Sequence, residues 1–436
     1  MRNILILLRH CQRHLPTLFI LVMLTTSADL ISQSEHIGSG IHSADNQLAI
    51  DINHLTYTIA NEHDQFYSFI GVRTLAMVHL AAHDIFNLQD RRYHPFYIHE
   101  VNDTPFDPQA AAIESTRLIL TKCYPSRVDT INEVCDRWMA TLDECLEKEK
   151  GKSTGQKVAL KYLEYRTNDG HEKNGDYTPM TKPGDYQYTP GFDWVWIPDF
   201  SVARPFTLDS VAQFRSPPPP DLTSEVYVTS YQEVKDLGKK NSRKRTEDQT
   251  NFAHWWAEFG EHSWNRIGRI TADAKGLPLV QTNRMFALLN VNLYDLYLAS
   301  FDSKYYYDTW RPYTAIRHGE KDGNPQTQGD TTWEPEMQTP PWPEYPSAHA
   351  AVGAAGAEIV SAIFGTPYVR FSMESVTALP NSRYRRYQDL DKAAQDCADS
   401  RIMNGYHFRF ATEEGMQQGR KIARHTLDHF LQLIEK

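Results

Sequence analysis

One run of sequence leaves this chain little choice of fold. From Ala348 to Phe364 it is built of Ala, Gly, Val, Ile, Ser and Phe, interrupted only by His349 and Glu358. Such a run is a strong helix former, and being apolar all round it belongs inside other helices. Pro346 ends an extended lead-in, Ser347 is a natural N-cap, and Gly365-Thr366-Pro367 is a stop. The first amides of a helix lack internal partners and sit at the positive end of its dipole, so this turn is also an oxyanion cradle. Ser347 adds a hydroxyl and His349 a titratable imidazole. Taken alone, the commoner meaning of the pattern is a capped, buried helix.

The rest of the chain agrees with a helical fold. Helical patterning runs from Ile50 and continues through Phe66 to Phe86, Ala110 to Lys122, Val128 to Lys150 and Lys157 to Arg166. It resumes at Ser224 to Gly238, Asp248 to Ala274 and Pro278 to Tyr313. Strand patterns are weak throughout. The expectation is an all-α protein of two packed helical bundles in one domain, residues 29–436. Asn168 to Pro220 breaks the pattern. It is rich in Gly, Pro and aromatic residues, which predicts an ordered wrap or lid over the helices, with a plain connection between two helical halves as the alternative. His79 and His83 read as core histidines, and Lys239 to Arg245 as a solvated loop.

Residues 1–28 have the basic end, apolar core and small-residue cleavage site of a secretory signal, which predicts a secreted or periplasmic protein. No later stretch approaches the ~20 apolar residues that a membrane span needs. The net charge of −10 argues against nucleic acid as a partner, so any anion site is a local feature. Cys123, Cys135, Cys145 and Cys397 show no zinc spacing. Cys135 and Cys145 are expected on one helix, about 15 Å apart and unable to pair. Cys123 with Cys135, or four buried thiols, are equally open.

Two further blocks flank the Ala-rich helix. Upstream, Lys304 and Arg311 lie seven apart, on one face of a continuous helix. They are set among Phe301, Tyr305, Trp310 and Pro312, and cations in such surroundings need a buried partner. Downstream, Arg401 and His407 lie six apart, about 600° around an ideal helix, so they share no face there. Asn404-Gly405 between them predicts a helix end or bend that turns both into one site. The ordered set Lys-x6-Arg-Pro, Pro-Ser-x-His and Ser-Arg-x5-His resembles the vanadium-dependent haloperoxidase and type 2 phosphatidic acid phosphatase superfamily. All three blocks lie within residues 245–436.

What the resemblance implies is specific. In the haloperoxidases vanadate is held by one histidine nitrogen, here His407. Its oxygens take hydrogen bonds from the matches to Lys304, Arg311, Ser347, Arg401 and a backbone amide, here that of Ala348. The match to His349 is the acid–base group, and Lys304 also polarises the bound peroxide. Phe301 and Trp342 match the residues bordering the halide site. The implied activity is an exported haloperoxidase that oxidises halide with hydrogen peroxide to hypohalous acid, for a small organic acceptor. The alternative is an acid phosphatase working through a phosphohistidine. A homo-oligomeric state is left open. The chain departs from the pattern in two places. The usual Gly between Ser and His is Ala348. The Asp that often follows the metal-binding histidine by four residues is Ala411, so another group, a backbone carbonyl by expectation, must orient His407. Glu258 or Glu261 is the expected carboxylate partner of Arg401.

Overall fold

The computed structural model describes residues 46–64, 68–100 and 105–434. The expected signal segment and Cys11 lie outside them. Within the compact unit Ala44–Lys436 the described residues form thirteen α-helices and one two-stranded sheet. None of these helices is long and apolar enough to cross a membrane.

The first bundle is α1 (Gln47–Asp64), α2 (Ser68–Asp90), α3 (Pro108–Cys123), α4 (Val128–Ala140) and α5 (Leu146–Tyr165). Helix α2 packs on α1, α3 and α5. The segment expected to be one helix from Val128 to Lys150 is two. Cys135 therefore sits in α4 while Cys145 is the exposed N-cap residue of α5. No disulfide links the described cysteines to one another, and they are not uniformly buried: Cys135 and Cys397 are buried and Cys145 is exposed. His79 bonds Asn53 and Asn283, and His83 lies against the His94 carbonyl, as core histidines do.

The second bundle follows α6 (Glu225–Leu237) and comprises α7 (Glu247–Trp255), α8 (Gly260–Lys275), α9 (Leu279–Tyr307), α10 (Pro312–Arg317), α11 (Ala348–Phe364), α12 (Leu390–Met403) and α13 (Arg409–His429). Strands β1 (Phe371–Glu374) and β2 (Tyr384–Tyr387) pair antiparallel, Phe371 opposite Tyr387. The long helix α9 is shared by both bundles, packing on α2 on one side and on α11 and α13 on the other. Burial of almost every residue from Met285 to Phe301 makes it the axis of one continuous apolar core. Arg245 departs from the solvated loop expected for it: it is buried, paired with Glu336 and capping the Leu237 and Met403 carbonyls.

The Ala-rich run is α11, capped by the Ser347 side chain and ended at Gly365. Its small residues let neighbours approach closely. A Cβ at Gly415 of α13 would stand 2.3 Å from the Ser347 carbonyl oxygen, and one at Gly419 2.1 Å from that of Ala351. Helices α11 and α13 thus touch backbone to backbone, which fixes the turn at Ser347 against α13. Residues 168–220 carry only two short 3-10 turns, Phe200–Val202 and Val211–Phe214, and lie across α9 through them. Aromatic side chains do the anchoring: Phe206 and Phe200 pack edge-on against Tyr294 of α9.

Candidate active site

The three sequence blocks converge, but not in the way helical spacing predicts. Lys304 is on α9. Asp308, in the left-handed conformation at φ 48°, ends that helix by returning its amide to the Lys304 carbonyl. Arg311 lies beyond this turn as the N-cap residue of α10, where Pro312 starts a new helix. The two cations meet because the chain turns between them.

Both side chains are completely buried, and they hold the lead-in to α11. Arg311 Nε donates to the Trp342 carbonyl at 2.8 Å. Lys304 Nζ donates to those of Pro343 and Glu344 at 3.0 and 2.8 Å. Three successive carbonyls that would otherwise be buried without partners are thereby satisfied. An ammonium has three donors, so Lys304 keeps one in hand. Burial, reinforced by Arg311, draws the Lys304 pKa well below its ordinary value. Burial likewise lowers that of Arg311 to about 10.

Helix α12 ends at Met403, and Gly405, at φ 79°, makes the bend that the sequence predicts. Arg401 stays on the helix and His407 turns back toward it. His407 Nε2 lies 3.1 Å from Arg311 Nη1, and His407 Nδ1 lies 2.8 Å from Glu344 Oε1. The expected backbone carbonyl is therefore replaced by a side-chain carboxylate, because Glu344 is the group facing the ring. Ala411 is occupied otherwise, its carbonyl accepting the Ser347 amide at 2.9 Å. Burial raises the Glu344 pKa to about 7, against the opposing pull of Arg311 and Lys304. Burial and the same cations hold the His407 imidazole neutral, well below its usual range.

His349 lies one residue into α11. It hydrogen-bonds the Trp256 carbonyl, which Arg401 Nη1 also reaches at 3.4 Å. That carbonyl is available because the helix expected from Asp248 to Ala274 breaks after Trp255. A continuous helix would use it for the amide four residues on. Burial, then the Arg401 charge, keeps His349 well below the ordinary imidazole pKa. Arg401 is not paired with either expected carboxylate. Glu258 takes Ser263 and Arg266, Glu261 takes the Tyr297 hydroxyl, and Arg401 lies 4.7 Å from the Tyr406 ring centroid.

Several buried polar atoms of this cluster have no protein partner: Arg311 Nη2, Arg401 Nε, His349 Nε2 and Glu344 Oε2. Orphaned donors on two guanidiniums are costly unless something else accepts them. With Ser347 and the first amides of α11 beside them, they form the donor set that a tetrahedral oxyanion requires. Ala348 opens that helix, its Cβ no obstacle to the turn.

An aromatic wall stands next to the cations. Phe301 and Trp342 are 6.0 Å apart between ring centroids, and Trp342 is 5.8 Å from the Arg311 guanidinium carbon. The wrap adds two members that the sequence reading missed. Trp196 lies 5.4 Å from Trp342, and Phe200 5.9 Å from Phe301. Trp196 is fixed by its amide on the Pro341 carbonyl at 3.0 Å and by the Tyr305 hydroxyl on its own carbonyl. Glu344 was the other omission. Its signal was a carboxylate three residues before a capped, buried helix, inside an otherwise apolar lead-in.

Comparison with known proteins identifies the architecture. Residues 284–436 match the VCPO second helical-bundle domain. Vanadium chloroperoxidase of Curvularia inaequalis is 32% identical over 146 residues, covering 28% of this chain and 23% of that protein's length. The chain superposes on a bacterial vanadium-dependent iodoperoxidase with a TM-score of 0.76 at 23% identity, covering 92% of this chain and 100% of the other. It superposes on a bacterial vanadium-dependent chloroperoxidase with a TM-score of 0.65 at 16% identity, covering 83% and 91%. The fold is that of the vanadium haloperoxidases, and the resemblance carried by the three sequence blocks stands.

Proposed function

We propose that this chain, which has the vanadium haloperoxidase fold, is an exported vanadium-dependent haloperoxidase that oxidises halide with hydrogen peroxide. The observation carrying the reading is the set of unpartnered buried nitrogens on Arg311, Arg401 and His349, close enough that the Arg401 charge acts on both of the others. Lys304 and Arg311 do hold the α11 lead-in, but that role leaves Arg311 Nη2 and Arg401 Nε unused, and buried donors of this kind call for an anion.

In this reading His407 Nε2 would hold vanadate, and Arg311, Arg401, the third donor of Lys304, the Ser347 hydroxyl and the Ala348 amide would donate hydrogen bonds to it. Bound vanadate supplies Lewis acidity that activates hydrogen peroxide toward a halide, giving hypohalous acid. His349, neutral and with Nε2 free, takes and returns the proton. Phe301 and Trp342, backed by Trp196, strip water from the incoming halide, so that its attack competes with hydrolysis. Iodide and bromide are the expected substrates, since ease of oxidation falls from iodide to chloride. Hypohalous acid then passes to a small organic acceptor. Export is proposed from the secretory-signal pattern of residues 1–28.

The test loads the protein with vanadate, dialyses it, and measures retained vanadium and peroxide-dependent bromination of an acceptor dye. Wild type should retain vanadium and brominate. His407→Ala should fold but lose the metal, and His349→Ala should keep it while losing about 10²–10⁴-fold in turnover. A vanadate-free protein that hydrolyses p-nitrophenyl phosphate efficiently, with no bromination after loading, would make it the phosphatase of the same superfamily.

A further inference from the structure

Glu344 touches every block of the site. Its amide donates to the Thr309 carbonyl at 2.9 Å, and its carbonyl accepts Lys304 Nζ at 2.8 Å. Its Oε1 accepts from His407 Nδ1 at 2.8 Å and from the Phe408 amide at 3.0 Å. The side chain is fully buried and its second oxygen, Oε2, has no partner. A carboxylate left half-satisfied in the interior is a poor way to stabilise a fold. Such a residue makes sense if it serves the imidazole.

The partners of His407 fix its tautomer. A guanidinium can only donate, so Nε2 facing Arg311 is the bare nitrogen. The hydrogen then sits on Nδ1 and points at Glu344. Nε2 has one lone pair, so it is unable to serve Arg311 and an anion together. The Glu344 contact is the one compatible with both states, and a carboxylate behind an imidazole also makes the opposite nitrogen a better donor. We infer that Glu344 is the positioning residue of His407, holding the ring with its Nε2 lone pair toward the oxyanion, in place of the carboxylate that position 411 lacks. The inference rests on the haloperoxidase reading for what Nε2 binds, but the state of the ring is testable without it.

Nitrogen NMR of histidine-labelled, vanadate-free protein, with His407 assigned through His407→Asn, should show Nδ1 protonated and Nε2 bare. Glu344→Gln, whose amide oxygen accepts the same two bonds, should keep that pattern. Glu344→Ala leaves the ring only its 3.1 Å contact with Arg311 and should add a population protonated at Nε2. In equilibrium dialysis Glu344→Ala should bind vanadate about 10–100-fold more weakly, with Glu344→Gln recovering most of the loss. A purely architectural role would lower the melting temperature of both variants without changing the tautomer. Hydrogen on Nε2 in the wild type, or unchanged ring nitrogens in Glu344→Ala, would overturn the inference. If Glu344→Ala does not fold, the wild-type and Glu344→Gln spectra still decide. Wild-type protein that binds no vanadate would defeat the haloperoxidase reading alone.

Discussion

Two buried clusters of positive charge invite comparison. Where the wrap meets α2 and α5, Arg73 and Arg166 both donate to Asp169 Oδ2 at 2.7 Å, and His171 bonds Oδ1 at 2.7 Å. Their other nitrogens cap the carbonyls of Arg166, Arg204 and Pro205, and the Arg166 guanidinium lies over the Phe206 ring. At the site, Arg311 and Arg401 keep nitrogens that nothing in the protein accepts. The first cluster has its anion built in as Asp169; the second is short of one. Closed networks hold a fold together, whereas an open one of the same charges marks a place for a ligand.

The largest test of this contrast removes the built-in anion. Asp169→Asn strands two buried arginines and should cost about 3–5 kcal/mol of stability, read from the unfolding midpoint. A loss below about 1 kcal/mol would erase the distinction. Supplying the missing anion should act next most strongly. Vanadate at a hundred times its dissociation constant should stabilise the wild type by about 2.7 kcal/mol in thermal unfolding. Arg401→Met should lose much of that gain, yet be as stable as wild type without anion, because a buried unpaired charge has gone. A destabilised Arg401→Met in anion-free buffer would mean that this arginine is structural.

The smallest effect separates the clusters by pH. His349 and His407 have folded pKa values below their unfolded value of about 6.5, so their contribution is complete above that pH and lost as pH falls below it. Burial pushes the Asp169 carboxyl up, but His171, Arg73 and Arg166 outweigh it and hold it below the usual range. Its contribution is present above the unfolded value of about 3.9 and fades only below that. Each site imidazole should therefore lower the stability of the anion-free protein below pH 6.5 by up to about 1.4 kcal/mol per unit, offset in part by Glu344, whose pKa raised to about 7 acts in the opposite sense, and His349→Ala should remove part of this slope. A His349→Ala profile parallel to that of the wild type down to about pH 4 would contradict the assigned state of His349.

The sequence was most informative where local chemistry decides structure. Ser347 as a cap, the Ala-rich α11, the stop at Gly365 and the bend at Gly405 are readable because each is a property of a few adjacent residues. Lys304 and Arg311 were matched correctly to one region for a reason that fails: the helical face supposed to join them ends at Asp308. The breaks after Trp255 and Ala140 escaped notice because apolar periodicity continues across both. Glu344 and Trp196 escaped for another reason. Each acts on a partner more than sixty residues away in the chain, and periodicity carries no information at that range.

The backbone contact of Gly415 and Gly419 with α11 bears on how such a protein diversifies. Any side chain at either glycine would press on the carbonyls of Ser347 or Ala351, so the anion cradle offers no neutral route to change. The wrap is under no such restriction. Trp196 and Phe200 reach the aromatic wall from a segment with little regular structure, where insertions and exchanges are easily absorbed. Under the proposed function, a lineage or a directed-evolution library that seeks a new substrate should accumulate its changes between residues 168 and 220 and leave the α11–α13 crossing untouched.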